Sequence, residues 1–315
     1  LIGVWLALFQ IVIFPGFLFL GALSLVFEYV DRKLYARMQN RIGPPWYQPL
    51  ADLLKLLSKE TIVPCDADPR LFGAIPVFAL AATCAAFLYI PIWSLKSLMP
   101  FDSDLIVVMY FLTIPTLTYF LAGWFSSSLF AELGAIRAMT QLFAYEVPLY
   151  MALLGPALLA GTWSISGISL FYHQHPALLL VNIPALLVSI VTAQGKLERA
   201  PFDIPDAETE IVGGTFTEYS GRLLAMFKMT LNTELVVVAA LISAIFFPLF
   251  IGGSAVVGFL LFLVKLLVVV FLLSLMRAAL ARFRMDQMVD FCWKVLAPVA
   301  LAQILIDLIV KGALL

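Results

Sequence analysis

"GFLLFLVKLLVVVFLLSLM", residues 258–276, holds a single charge, Lys265, among apolar side chains. Coiled as an α-helix at ~1.5 Å per residue, such a run matches the roughly 30 Å hydrocarbon layer of a bilayer. Runs of this kind recur along the 315 residues, of which 63% are hydrophobic and only 12% charged. The mean hydropathy is +1.03. A soluble domain of this length needs far more polar surface. The alternation and turn spacing of a transmembrane barrel are missing. The fold class is therefore an all-α integral membrane protein.

Working outward from that run, the sequence predicts about eight transmembrane helices. They fall near 3–27, 71–93, 105–125, 132–160, 176–194, 223–250, 254–280 and 290–310, within one polytopic domain covering 1–315. No polar leader or small-residue cleavage site precedes the first run, which reads as a retained helix. The runs at 131–161 and from Arg222 onward exceed the bilayer thickness, so they must tilt or protrude.

The net charge is −1, and its distribution is informative. Eight spans place sixteen of the nineteen basic residues on one side. By the positive-inside rule those loops are cytoplasmic, and both termini lie outside the cytoplasmic membrane. Two segments on that side are long. Residues 28–70 begin as a continuation of the first helix, break at "RIGPPW", and resume in "PLADLLKLLSKE". There Leu50, Leu53, Leu54 and Leu57 lie opposite Asp52, Lys55 and Lys59, the pattern of an amphipathic helix on the membrane face or under a partner. The second segment, 195–222, carries six acids against three cations.

Cys65, Cys84 and Cys292 are scattered, and His173 and His175 sit in a short loop read as solvated. No CxxC, phosphate loop or nucleophile motif is present, so no cofactor is expected in this chain itself. A nucleic-acid partner is not expected either.

The acids of "GKLERAPFDIPDAETEIVGG" (195–214) admit two readings. One is a solvated loop. The other is a shielded cluster framed by Pro201, Phe202, Ile204 and Pro205, in which crowding and burial keep some carboxylates protonated near neutral pH. Glu146 with Pro148 close behind, Glu234 and Lys265 stand among apolar neighbours. Mid-membrane charges cost at least about 2.5–3.5 kcal/mol and so tend to mark pathways. Asp307 and Lys311 are four apart and are expected to pair with each other.

Three stretches carry a resemblance: "DRKLYARMQNRIGP" with "QPLADLLKLLSKE", "GAIRAMTQLFAYEVPL", and "ERAPFDIPDAETEIVGGTFTEYSG". With them the chain resembles, along most of its length, the eight-helix heel subunit of respiratory complex I. The resemblance implies a membrane subunit that docks an iron–sulfur peripheral arm and couples electron transfer to proton or sodium movement. It assigns coupling roles to Glu146, Glu198, Asp203, Asp206, Glu208, Glu210 and Glu218, with Glu132 extending the chain. Arg32, Lys33, Arg37, Arg41 and Arg199 would lie at the arm interface, the first four pairing with those acids. Glu234 and Lys265 would pass the signal to neighbouring ion-translocating membrane subunits.

Only "PWY" separates "RIGP" from "QPLADLLKL", where complex I subunits carry about eight more residues, and "DRK" replaces "ERK". Both departures resemble the membrane-bound [NiFe] hydrogenases and related ferredoxin-driven complexes, and suggest that the quinone chamber is lost. The implied partners are iron–sulfur and hydrogenase-like peripheral subunits, which hold iron–sulfur clusters and, in hydrogenases, nickel–iron. A quinone-site subunit, a free transporter and a passive anchor are the competing readings.

Overall fold

The computed structural model describes residues 2–206, 208–249 and 254–314, and of residues 2–4, 6, 7, 208, 209 and 314 only the backbone. The first apolar run is divided: α1 (Ile2–Val12) stops before Pro15 and Gly16, and α2 (Phe17–Met38) follows. Proline lacks an N–H and disfavours helix in the residue before it, which accounts for the break. As expected, α2 carries on past the apolar region. Leu20, Leu23, Phe27, Glu28 and Asp31 are buried at helical spacing, so one face of α2 turns from apolar to acidic along its length.

After the "RIGPPW" break, α3 (Gln48–Ser58) forms the expected amphipathic helix, with Pro49 in its first turn. Asp52, Lys55 and Lys59 border a cavity beside α2, and Leu50, Leu54 and Leu57 are exposed. Then come α4 (Pro69–Leu88), α5 (Asp104–Trp124) and α6 (Leu129–Ala160), followed by α7 (Ile165–Gln174). The 32 residues of α6 match the predicted overlong run. It ends at Gly161, whose φ of 71° lets its N–H cap the carbonyl of Ala157 at 2.9 Å.

The run predicted at 176–194 takes a shorter form. Residues Pro176–Leu180 make a 3₁₀ turn, and α8 (Ile183–Lys196) has 14 residues, about 21 Å. Among its described residues the acidic segment holds a short α-helix, α9 (Glu208–Ile211), and a 3₁₀ turn at Gly214–Phe216. Beyond it lie α10 (Gly221–Phe246), α11 (Ala255–Ala279), α12 (Met285–Phe291) and α13 (Ala297–Leu314), the last two joined through a π turn at Cys292–Leu296. Among the described residues, seven helices are long and apolar enough to cross a membrane, and α8 is the shorter eighth.

The centre of the bundle is α10. Of its most apolar window 89% is buried, against 33% for α11, and it packs on α2, α3, α4 and α11. That placement surrounds Glu234, halfway along α10, with protein rather than lipid.

Candidate functional site

The acidic segment is pinned at both ends. Gln141 of α6 donates through Nε2 to Gly195 O (2.7 Å) and Phe202 O (2.9 Å), while Phe202 and Ile204 are buried in the core. Phe283 N–H donates to Pro201 O at 3.0 Å. At the far end Tyr219 stacks on Phe72 with centroids 3.9 Å apart, and Phe216 and Phe227 complete an aromatic cluster against Tyr119. Gly134 of α6 lets the backbone at 214–215 pass close by; a Cβ there would sit 2.5 Å from Thr215 N. At these two ends the segment is part of the fold rather than a solvated loop.

A cavity of about 770 Å³ lies between this segment and α2, α3, α10 and α11. Its wall is heavily charged, with Glu28, Asp31, Asp52, Glu198, Asp203 and Asp206 facing seven cations. Asp31, 1% exposed, accepts from Arg199 Nη1 (2.7 Å), Arg277 Nη1 (3.3 Å) and Ser274 Oγ (2.7 Å). Arg277 also stacks over Tyr35 at 4.4 Å. Glu28 is held by Arg32 and Asn232, and Arg32 reaches Asp52 at 3.0 Å. Arg199 thus does join the carboxylates, but through Asp31. Arg32 pairs with Glu28 and Asp52 rather than with the 195–222 acids, because α2 and α3 supply nearer partners. Among the described residues Lys33 reaches Pro44 O at 3.5 Å and no acid, and Arg37 and Arg41 are exposed.

Glu198 forms the inner wall. Its backbone sits in the left-handed region at φ 51°, a strained setting for a non-glycine residue, and its Oε1 has no hydrogen-bond partner among the described residues. Burial, then the charges of Glu234 and Asp206, push its carboxyl up to about 8; Lys196 opposes them and Asp203 adds a smaller push.

Behind Glu198 stands the deepest ion pair. Lys196 Nζ lies 2.8 Å from Glu234 Oε1, with side chains 2% and 0% exposed. Lys196 also donates to Thr116 Oγ1 at 2.6 Å, Tyr119 OH donates to Glu234 Oε2 at 2.8 Å, and Thr116 meets Tyr145 OH at 3.1 Å. A void of about 10 Å³, close to one water-sized sphere, is bounded by Lys196, Tyr145, Glu146 and Tyr150. On its far side Glu146, half-buried, accepts from Tyr150 OH at 2.8 Å.

The sequence-predicted acids therefore separate. Asp203, Asp206 and Glu198 face the cavity, and Glu234 and Glu146 continue inward. Glu210 does not join them: it is exposed and bound by Arg137 (2.7 Å) and Arg282 (3.7 Å). The Arg137 hydrogen bond, then the Arg282 charge, hold its carboxyl below the usual range, so it is ionised rather than protonated near neutrality. The side chain of Glu208 lies outside the described residues. Glu132 and Glu218 are half-buried, and neither side chain has a hydrogen-bond or ion-pair partner among the described residues. Lys265 has none either.

The expected Asp307–Lys311 pair is absent among the described contacts. Asp307 is fully buried and accepts from Gln303 Nε2 at 3.0 Å, while Lys311 donates to Leu158 O at 2.9 Å. Both side chains turn toward α6 instead of toward each other. Sequence reasoning missed Lys196, Glu28, Asp31 and Asn232. The two α2 acids did have a signal, since they continue the stripe of Leu20, Leu23 and Phe27.

Residues 9–308 match the family model described as NADH dehydrogenase. The chain is 35% identical over 301 residues to the H subunit of NADH-quinone oxidoreductase from Brevibacillus brevis, covering 90% of this chain and 87% of that protein. Against the corresponding protein of Carboxydothermus hydrogenoformans the identity is 32% over 318 residues, covering 96% and 88%. A chain of the membrane-bound sulfane sulfur reductase, an archaeal respiratory membrane complex, superposes with a TM-score of 0.83 at 28% identity, covering 97% of this chain and 99% of that one.

Proposed function

The chain belongs to the NADH dehydrogenase family of membrane proteins, and from that premise we propose that it couples redox chemistry in a partner to proton movement through its buried carboxylates. It is a multi-pass membrane subunit of a complex I-related respiratory complex. The single observation that carries the coupling role is the succession from cavity to membrane: Glu198, the Lys196–Glu234 pair whose charges act on it, the small void, and Glu146.

In this reading iron–sulfur subunits, hydrogenase-like in kind, dock over the charged side of the bundle, which faces the cytoplasm, with both termini outside. No redox centre belongs to this chain; iron–sulfur clusters, with or without nickel–iron, are the partner's. An electron arriving above the cavity makes the local potential more negative and raises the proton affinity of Glu198. With a carboxyl already near 8, Glu198 needs only a small change of field to load or release a proton. A proton passed on to Glu234 neutralises it and releases the Lys196 ammonium from its ion pair. The freed ammonium lies against the void that Glu146 shares. Asp203 and Asp206 supply the cavity end. Single carboxylates linked by hydroxyls suit protons better than a sodium ion, which needs a cage of oxygens.

A second reading, reduction of a quinone in the cavity, is favoured by the cavity's volume. Its wall speaks for a polar occupant, because thirteen of the twenty-four lining residues are charged and a prenyl tail needs an apolar lane. The decisive experiment reconstitutes the native complex in vesicles with Glu198→Gln. Electron transfer should persist while ion uptake falls by about tenfold or more. Undiminished uptake would reduce the chain to an anchor.

A further inference from the structure

Among the described residues, Lys265 is the one mid-span charge that the relay leaves unexplained. It is the eleventh residue of α11, about 15 Å along the helix from the nearer end, too far for its four-carbon stem to bring the ammonium to the headgroups. It is half-buried. One side of α11, through Phe262, Leu266, Val269 and Leu273, is buried in the bundle. The other presents Leu260, Val264 and Val268, exposed by 55, 58 and 40% at four-residue steps, and Lys265 sits at the edge of that stripe.

Among the described residues, each acid on the helices packed against α11 is committed to other partners. On α2, Glu28 holds Arg32 and Asn232, and Asp31 holds Arg199, Arg277 and Ser274. On α10, Glu234 holds Lys196 and Tyr119. On α8 the charged residue is Lys196 itself, a like charge. Acyl chains at this depth offer no anion, and hydrocarbon does not hold an unpaired ammonium.

We infer that the Leu260–Val264–Val268 face of α11 is an interface with a transmembrane helix of another subunit, and that this helix brings an aspartate or glutamate to Lys265 at mid-membrane depth. The inference rests on the reading of the chain as one subunit of a larger membrane complex, and adds which face is covered and by what chemistry. The apolar stripe supplies shape and dispersion contact. The ion pair fixes the register of the two helices, since a slip of one turn would leave both charges unpaired.

The test uses the intact complex in native membranes, with Val264 replaced by photoreactive benzoylphenylalanine and Lys265 retained. Illumination should join this chain to a polytopic membrane subunit of the complex, with the adduct mapping within one helical turn of an Asp or Glu in a span. Adducts with lipid alone, or with a helix lacking such an acid, would overturn the inference. Co-purification of other subunits with the tagged chain, scored in the same preparation, tests the multisubunit reading separately. As a second measure, Lys265→Met should lower retention of the joined subunit in detergent by about tenfold, and Lys265→Arg should keep it. Equal retention in the Met variant would show that the charge has no partner.

Discussion

Lys196 Nζ and Glu234 Oε1 lie 2.8 Å apart at the centre of the bundle, 38 residues apart in sequence and sealed from solvent on all sides. Removing one member strands the other, and a stranded buried charge costs about 3–5 kcal/mol. Lys196→Met should therefore lower the thermal stability of the complex more than Lys196→Met combined with Glu234→Gln, which leaves no charge behind. Thermal unfolding of both variants, with Glu234→Gln completing the cycle, checks the order. A double variant no better than Lys196→Met would mean that the pair is not the dominant interaction there.

Glu210 behaves as a surface residue. Glu210→Gln should leave ion uptake within about twofold of the parent, since exposed ion pairs contribute little. Its lowered carboxyl means that whatever stability it adds is present above the ordinary carboxylate value and lost as pH falls through the lower folded value. A shallow acid-side difference between parent and Glu210→Gln is the expected trace, read by unfolding between pH 3 and 5.

Glu198 has the opposite sign. Its folded value near 8 lies above the ordinary 4.5, so between those two pH values the folded protein holds a proton that the unfolded chain releases. Stability is fully present below about 4.5 and declines as pH rises toward and through 8. Glu198→Gln, which cannot lose that proton, should flatten the decline. Unfolding measured from pH 6 to 9 in both forms gives the comparison.

Gly134 sets the seat of the acidic segment. A methyl at that position would stand 2.5 Å from Thr215 N and 2.6 Å from Gly214 C. Gly134→Ala should cost on the order of 1–3 kcal/mol through this overpacking and lower ion uptake by displacing the segment. Gly73→Ala, where a Cβ meets nothing within 4 Å, is the control and should do neither.

How far the sequence reveals all this follows from the range of each interaction. The spans are legible because apolar length is a local property, and α3 because Leu50, Leu54 and Leu57 repeat at helical spacing. The division of the first run is local too, at Pro15, but a window average passes over it. Lys196 is not legible: beside Glu198 and Arg199 it reads as a loop cation, and only Glu234 on another helix draws it inward. Glu210 misleads in the reverse direction. Its crowded neighbours suggest shared protons, whereas Arg137 and Arg282, both distant in sequence, keep it ionised at the surface. Asp31 depends on residues 168 and 246 positions away, and Asp307 on Gln303 rather than the neighbouring lysine. Composition places the acids together; the packing of α10 against α2, α4 and α11 decides which of them share a path.

The most direct measurement is a pH titration of the Glu198 carboxyl by infrared difference spectroscopy on the intact complex, with Glu198→Gln to identify its band. A protonated carboxylic-acid band that disappears with a midpoint close to 8 is the predicted result. Ionisation complete by about pH 5, as for a carboxylate in water, would contradict it and remove the proton store on which coupling depends.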